Sequence, residues 1–530
     1  MAWRIGDDAR KIAATLRFGL SARRFVKESL TLEEARRIVA ERIARREQRF
    51  LSMVQRAILN NPKSAYKRLF DEAGLDYARV QTLTRRLGVE GALEELRQRG
   101  VFVAYEEFKA LNAEGRADLK KFPRGSNFDN PLSGPGLAAR SGGSRSAGTR
   151  LRLDFWSMRE AAVHRLLRTE EFGMQGAVQA RYFPILPASN GITQLLQGNY
   201  VREPQGAWFT PLDPRRCPWV FRAQTAYVLG ALRLAGAQTL RPQYVPLSHV
   251  HPIARWLAER KTEGQTCHFS AYASSAVRVC AAAREEGLDV SGTWFSLLGE
   301  PVTQARYEAV RAVGGVPIVT YGMAEAGQFA CTCRHSRPPD DMHFFTDSHA
   351  LIRHSKTVGP DGREVQPFLV TSLLPGARKI LLNVETDDCG DLSERPCDCV
   401  WGRLGLTLRV SNVRSFVKLT TEGMTLLGTN LIHVIESELP QRFGGGPADY
   451  QLLEEEEAEG RGRLSMRISP SVGPVDEAAV LALLYDRVRS GGVAERLFGN
   501  VWEEAQALRV VRQEPLATRS GKILPFHTLR

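Results

Sequence analysis

The chain has 530 residues, of which 43% are hydrophobic and 25% charged, too many for one core and ordinary enough for two or three packed domains. No run of about 18 uninterrupted apolar residues occurs, which excludes a helical membrane span. The opening MAWRIGDDARKIAATLRFG mixes charges where a signal peptide would be apolar, so a cytoplasmic enzyme is expected. The formal charge of +13 suits anionic partners: nucleotides, CoA, an acidic carrier protein or nucleic acid. An inert basic surface explains the same number.

Residues 1–120 read as helices. From Leu30 to Leu59, Leu32, Ala35, Ile38, Val39, Ile43, Leu51, Val54 and Ile58 recur at helical intervals among arginines, and Asn61-Pro62 ends the run. A basic amphipathic helix of this kind lies on a membrane or packs on its own protein, and packing is expected here. Between Asn127 and Thr149 the chain becomes rich in Gly, Ser and Pro, as in a functional loop. From about residue 180 to 410, short apolar runs alternate with helical patterns, the mark of an α/β fold. Its clearest unit is TWFSLLG (strand), QARYEAVRAV (helix) and VPIVTYG (strand). Ligands of open α/β sheets sit beyond the carboxyl ends of strands, which singles out Gly299-Glu300 and Tyr321 to Glu325. After residue 415 an acidic YQLLEEEE, the strand LSMRISP and the helix AAVLALLYDRVRSG suggest a small α+β domain.

Four features carry chemistry. The loop Ser141-Gly142-Gly143-Ser144-Arg145-Ser146-Ala147-Gly148-Thr149-Arg150 offers backbone amides, hydroxyls and cations to a polyphosphate, although it lacks the Gly-Lys-Ser/Thr ending of a Walker loop. In Tyr321-Gly322-Met323-Ala324-Glu325, an aromatic suited to stacking on a base precedes a carboxylate suited to Mg²⁺. The stretch from Asn383 to Asp391 supplies carboxylates for ribose hydroxyls. Lys522, on the turn Thr518-Arg519-Ser520-Gly521-Lys522-Ile523, can meet negative charge developing where a carboxylate attacks a phosphate.

In order and spacing these features resemble the adenylate-forming superfamily, within it the phenylacetate–CoA ligase and coenzyme F390 synthetase-like branch. The family's phosphate loop looks like SGGTTGxPxR; here it is SGGSRSAGTR, without the proline and with an arginine inserted. Gly299-Glu300-Pro301-Val302-Thr303 is similar to the branch's GEPLT, YGMAEAG to its YGxTExG with Ala324 in place of threonine, and TRSGKI to the C-terminal lysine motif. The likeness covers about residues 120–530. After the helical segment at 1–120, which matches only loosely, it implies a large multi-sheet α/β adenylation core at 121–414 and a small α+β lid at 415–530. It further implies ATP-dependent activation of a small carboxylic acid to an acyl-adenylate, then transfer to a thiol, with CoA first and a carrier protein or another protein or amine acceptor second. A non-catalytic nucleotide-binding relative is the rival from another class. Ser141, Gly142, Gly143, Ser144 and Thr149 would wrap the phosphates, Tyr321 would lie on adenine, Glu325 would bind Mg²⁺, and Asp388 would hold ribose with Asp391 as rival. Arg414 falls at the hinge arginine, but Phe416 and Val417 stand where paired aspartates are expected. Lys522 would act in adenylation and swing away for acyl transfer.

Cys331-Thr332-Cys333 and Cys397-Asp398-Cys399 together offer the four soft ligands of a structural Zn²⁺ site, with His335, His343 or Cys389 able to replace one thiol. Aromatics and polar groups at Tyr182-Phe183, His268 to Tyr272 and Ser296 to Leu298 are expected near the acyl pocket, although core packing explains them equally. No aromatic-plus-basic nucleic-acid module is present, and a homodimer is left open.

Overall fold

The computed structural model describes residues 5–112, 127–140 without 135, 150–358 without 187, 214 and 216, 363–415, 420–421, 424–425, 429–456, 462–489, 508–517 and 523–528. The first part is helical: α1 (Ile5–Lys27), α2 (Leu32–Ala44), α3 (Arg46–Met53), α4 (Tyr66–Glu72), α5 (Tyr77–Gln98) and α6 (Tyr105–Asn112). Thr31 starts α2 with a capping box, its hydroxyl accepting from the Glu34 amide while the Glu34 carboxylate accepts from the Thr31 amide. The apolar stripe from Leu30 to Leu59 is therefore two helices, divided at Arg45, followed by a π-helical turn at Val54–Leu59. It buries Ala35, Val39, Val54 and Ile58 within the protein, in keeping with packing and not with a membrane surface. Arg42 on this stripe is buried and pairs with Asp347 at 3.2 Å and with Glu160, so its charge is matched inside.

A ribbon of β1 (Leu137–Arg140) and β2 (Arg150–Leu153) leads to α7 (Phe155–Phe172). Asp154 caps this helix through the Ser157 amide at 2.7 Å, and Gly173, at φ +66°, stops it. The chain then builds one twelve-stranded sheet of order β11-β14-β15-β16-β10-β9-β8-β7-β6-β3-β4-β5. Its parallel half is β3 (Val178–Tyr182), β4 (Gln205–Thr210), β5 (Gln243–Tyr244), β6 (Cys267–Tyr272), β7 (Trp294–Leu298) and β8 (Val316–Met323). Between them run α8 (Asn190–Tyr200), α9 (Trp219–Leu234), α10 (His251–Thr262), α11 (Ala273–Glu285) and α12 (Gln304–Arg311). Every residue of β6 is buried, as a parallel strand covered on both faces requires.

At β8 the direction reverses. β9 (Gly327–Cys331), β10 (Met342–Phe344), β11 (His349–Arg353), β14 (Pro367–Ser372), β15 (Val384–Glu394) and β16 (Leu408–Ser415) form the antiparallel half. A hairpin of β12 (Lys356–Val358) and β13 (Arg363–Val365) and the short helix α13 (Val400–Arg403) lie between these strands. Beyond β17 (Thr420–Thr421) and β18 (Met424–Thr425), the stretch HVIESEL is helical, flanked by α14 (Thr429–His433) and α15 (Leu439–Phe443). A four-stranded sheet of order β21-β20-β19-β22 follows, from β19 (Tyr450–Glu456), β20 (Gly462–Ile468), β21 (Leu508–Arg512) and β22 (Phe526–Thr528). With α16 (Glu477–Arg489) it shares a separate core of Val434, Ile435, Met466, Ile468, Val480 and Leu484. The architecture is the mixed α/β with a small α+β part that the alternation of patterns implies. No helix among the described residues is long and apolar enough to cross a membrane.

Candidate functional site

The β8–β9 hairpin sits where the sheet turns from parallel to antiparallel, and it carries Tyr321 to Glu325. A Cβ at Gly322 would lie 2.3 Å from the Gly327 carbonyl oxygen, so glycine is what lets the strands close here. The Tyr321 hydroxyl donates to Asp388 Oδ2 at 3.0 Å. Burial, and then the charges of Asp388 and Asp387, keep this phenol protonated well above its ordinary range. Asp388 stands on β15 opposite Ser415 of β16, and Asp387 beside it accepts from the Ser415 hydroxyl at 3.1 Å. Asp391 instead accepts from the Asn412 amide at 2.5 Å, beyond the irregularity in the β15–β16 register. Arg414 turns to Asp340 at 3.2 Å and to the Val413 carbonyl at 2.7 Å.

Glu325 is buried in the turn after Tyr321. Beside it Arg378, for which the sequence gave no signal, donates to the Ala324 carbonyl at 2.8 Å. Burial pulls this guanidinium down to about 10 against the opposing charges of Asp154 and Glu325. Asp154 uses one carboxylate oxygen to cap α7; the other has no hydrogen-bond partner among the described residues, and burial raises its carboxyl.

Gly299 adopts φ +76° at the end of β7, which favours glycine. Glu300 accepts from the Ser274 amide at 2.8 Å and its hydroxyl at 2.9 Å, and pairs with Arg306 at 3.0 Å. These bonds engage both carboxylate oxygens of Glu300 within the protein. Arg306 also reaches Glu436 at 2.8 Å and the Ile523 carbonyl at 3.5 Å, while the Ile523 amide donates to the Ser274 hydroxyl at 3.1 Å. The residue after Lys522 is thus docked on the start of α11, which follows β6, and on α12, which follows β7. Lys522 itself, with Ser141, Gly142, Gly143, Ser144 and Thr149, lies outside the described residues, as do Phe416 and Val417.

Four potential metal ligands converge: Cys333, His343, Cys397 and Cys399, whose ligand atoms all lie within 4.8 Å of one another. Cys331 is not among them. It sits fully buried in the cluster with Val163, Leu167 and Ile318, where burial pushes its thiol up to about 12, and His343, one of the replacements considered above, stands in its place. His343 hydrogen-bonds the Leu406 carbonyl through Nδ1 at 2.6 Å, which leaves Nε2 as the acceptor, 2.9 Å from Cys399 Sγ. Cys333 Sγ lies 3.8 Å from Cys397 Sγ. A hydrogen bond from Cys399 holds the Cys333 thiol far below its usual range and pushes Cys399 up in turn. Outer partners are in place: the Gly402 amide on Cys399 Sγ at 3.3 Å and the Ser336 hydroxyl on Cys333 Sγ at 3.5 Å. Glu171 of α7 ties both cysteine loops down through the Arg334 and Val400 amides at 3.1 and 2.8 Å.

The expected pocket residues are core groups. His268 is bonded to Gln179 and to Ser296, each at 2.7 Å, and burial, aided by Arg168, holds it well below its usual pKa. Tyr182 donates to the Val245 carbonyl at 2.7 Å. A cavity of about 340 Å³ opens at the opposite, amino ends of β7 and β8, away from Tyr321.

No protein-family model matches the sequence, and no curated protein matches it. Among solved structures, 2-hydroxyisobutyryl-CoA ligase in the postadenylation state with 2-HIB-AMP is similar, with a TM-score of 0.56, 15% identity and coverage of 95% of this chain and 91% of that chain. The same ligase in an open conformation with 2-HIB-AMP and CoA gives 0.47 and 14%, covering 94% and 92%. O-succinylbenzoate coenzyme A synthetase from Bacillus subtilis, in complex with AMP, gives 0.41 and 13%, covering 77% and 71%. The chain thus shares its overall fold with 2-hydroxyisobutyryl-CoA ligase.

Proposed function

We propose that the chain is an AMP-forming acid–thiol ligase: it activates a carboxylic acid with ATP to an acyl-adenylate and transfers the acyl group to a thiol, CoA first. Two contacts support this reading. Tyr321 and Asp388 form a pair 3.0 Å apart, and Ile523, next to Lys522, docks on Ser274 and Arg306 of the helices that follow β6 and β7, ligands of such sheets sitting beyond the carboxyl ends of strands. The similar ligase bound to 2-HIB-AMP has this fold, which supports the same reading.

In the reaction proposed, the substrate carboxylate attacks the α-phosphorus of ATP and pyrophosphate leaves. The thiol then attacks the acyl carbonyl, loses its proton, and displaces AMP. Tyr321 would lie against adenine and orient Asp388 for the ribose hydroxyls. Ser141, Gly142, Gly143, Ser144 and Thr149 would cradle the leaving phosphates, Gly299 and Gly322 would let backbone approach the nucleotide, and Arg414 would steady the strand bearing Asp388. Lys522 would stabilise charge at the attacking oxygen, and the 415–530 region would then rotate to admit the thiol. The carboxylates of Glu325 and Asp154, the latter with its unpartnered oxygen, fit a hard cation. Mg²⁺ bound there would neutralise phosphate charge.

Zinc fits the Cys333, His343, Cys397 and Cys399 group, because three sulfurs and an imidazole with its Nδ1 committed to a carbonyl are a structural zinc donor set. It would fasten the two loops to each other and take no part in the chemistry.

Pyrophosphate–ATP exchange across a panel of carboxylic acids tests the proposal. Acid-dependent exchange is expected, and Lys522→Ala should lower it by about a hundredfold or more, as loss of a transition-state donor does. Failure of every acid to support exchange would reject the enzyme reading, and exchange unchanged in Lys522→Ala would remove that lysine from the step. Product analysis with CoA and with a phosphopantetheinylated carrier protein distinguishes the acceptors.

A further inference from the structure

Eight large hydrophobic side chains are exposed among the described residues, and six of them stand on two helices that pack together: Leu16 and Leu20 on α1, and Trp219, Val220, Tyr227 and Leu234 on α9. Leu234 is 92% exposed, Leu20 82% and Trp219 72%. Single exposed leucines need no account, whereas a concentration of this kind marks an interaction surface.

The surface is held from behind. Phe18 and Phe25 of α1 stack on Phe155 with ring centroids 4.3 and 4.5 Å apart, and Val228 and Leu232 of α9 are buried in the same cluster. The Tyr227 hydroxyl donates to the Leu16 carbonyl at 3.3 Å, and the Gln224 amide to the Thr15 hydroxyl at 3.2 Å. The two helices therefore present one fixed face, and its leucines protrude from it. Its charge is mainly positive: residues 15–27 and 219–234 contain no Asp or Glu, and Arg17, Arg23, Arg24, Lys27, Arg222 and Arg233 are exposed, with Glu28 just beyond α1 pairing with Arg24 at 3.2 Å.

We propose that the α1–α9 face binds the surface of a bilayer containing anionic lipids. Cations beside the apolar residues would meet lipid phosphates, Trp219 suits the headgroup boundary, and the protruding leucines would enter the acyl region. A second copy fits poorly, because two-fold pairing would bring these cations together, and the neighbouring carboxylate, Glu28, is already taken by Arg24 and Arg159. A helical peptide needs a groove, and side chains this exposed offer the reverse.

Flotation of the full chain with vesicles tests the assignment. Binding is expected to vesicles of phosphatidylcholine with phosphatidylglycerol, with little to phosphatidylcholine alone, and with release at high salt. Leu20→Ser with Trp219→Ser and Leu234→Ser, all exposed positions, should weaken binding by about tenfold or more at unchanged circular dichroism. Brominated lipid should quench tryptophan fluorescence in the parent chain more than in Trp219→Phe. No flotation with anionic vesicles, or flotation that the triple variant retains, overturns the proposal. So does a dimer that the triple variant converts to monomer, which would give the face to a second copy.

Discussion

The Tyr321 hydroxyl and the Asp388 carboxylate form the pair on which nucleotide placement rests in our reading. Tyr321→Phe keeps the ring and removes the donor to Asp388. The expected result is a rise of about tenfold in the KM for ATP with kcat less affected, the size of one hydrogen bond to a charged group. A changed kcat with constant KM would place the tyrosine in the chemical step instead. His349 bears on stability. Burial, opposed by Asp347, lowers its pKa to about 4. The unfolded chain takes up this proton near pH 6.5 and the folded protein only near 4, so stability falls as pH drops through that window, by up to about 3 kcal/mol. Denaturant midpoints measured from pH 7 to 4 should show this slope, and His349→Gln should flatten it.

Loops and strands explain why the cysteine ligands were half legible. Cys397 and Cys399 flank one residue ahead of α13, and their roles could be read from spacing. Cys331 and Cys333 have the same spacing, but Cys331 still belongs to β9 while Cys333 is beyond its end. The strand carries Cys331 into the apolar interior, and β10 brings His343 to the position it would have filled. Elemental analysis of chelator-free protein should find one zinc per chain. Cys399→Ser should lose it and lower the thermal midpoint, whereas Cys331→Ser should retain the metal. Equal loss in both variants would return Cys331 to the ligand set.

At the scale of the molecule, Arg306 joins the two sheets. It is buried between Glu300 of the α/β part and Glu436 ahead of the terminal sheet. Burial raises the Glu436 carboxyl, and Arg306 is the chief opposing charge. Removing one partner of a buried ion pair costs about 3–5 kcal/mol, so Arg306→Met should destabilise the protein strongly. Glu436→Gln with Arg306→Met together should recover part of the loss, since Glu436 then carries no unanswered charge while the Glu300 carboxylate keeps its bonds from Ser274. A double variant as unstable as the single would mean that packing and not charge holds this contact. If the terminal region rotates during catalysis as proposed, this pair is one that must open.

Periodicity alone determined that the chain begins as helices, continues as an α/β alternation and ends in a small α+β part, because side-chain spacing reports which face of an element meets the core. It also marked Tyr321 and Glu325, at a strand end and in the turn after it, whereas Asp388, inside β15, was singled out by the resemblance to the adenylate-forming superfamily. Tertiary structure decided their partners. That Tyr321 meets Asp388 across 67 positions, that His343 joins the cysteines, and that Glu300 is used by Ser274 and Arg306 depend on which strands are neighbours in the sheet. Strand order is set by packing over long sequence separations, and no local pattern in the chain encodes it.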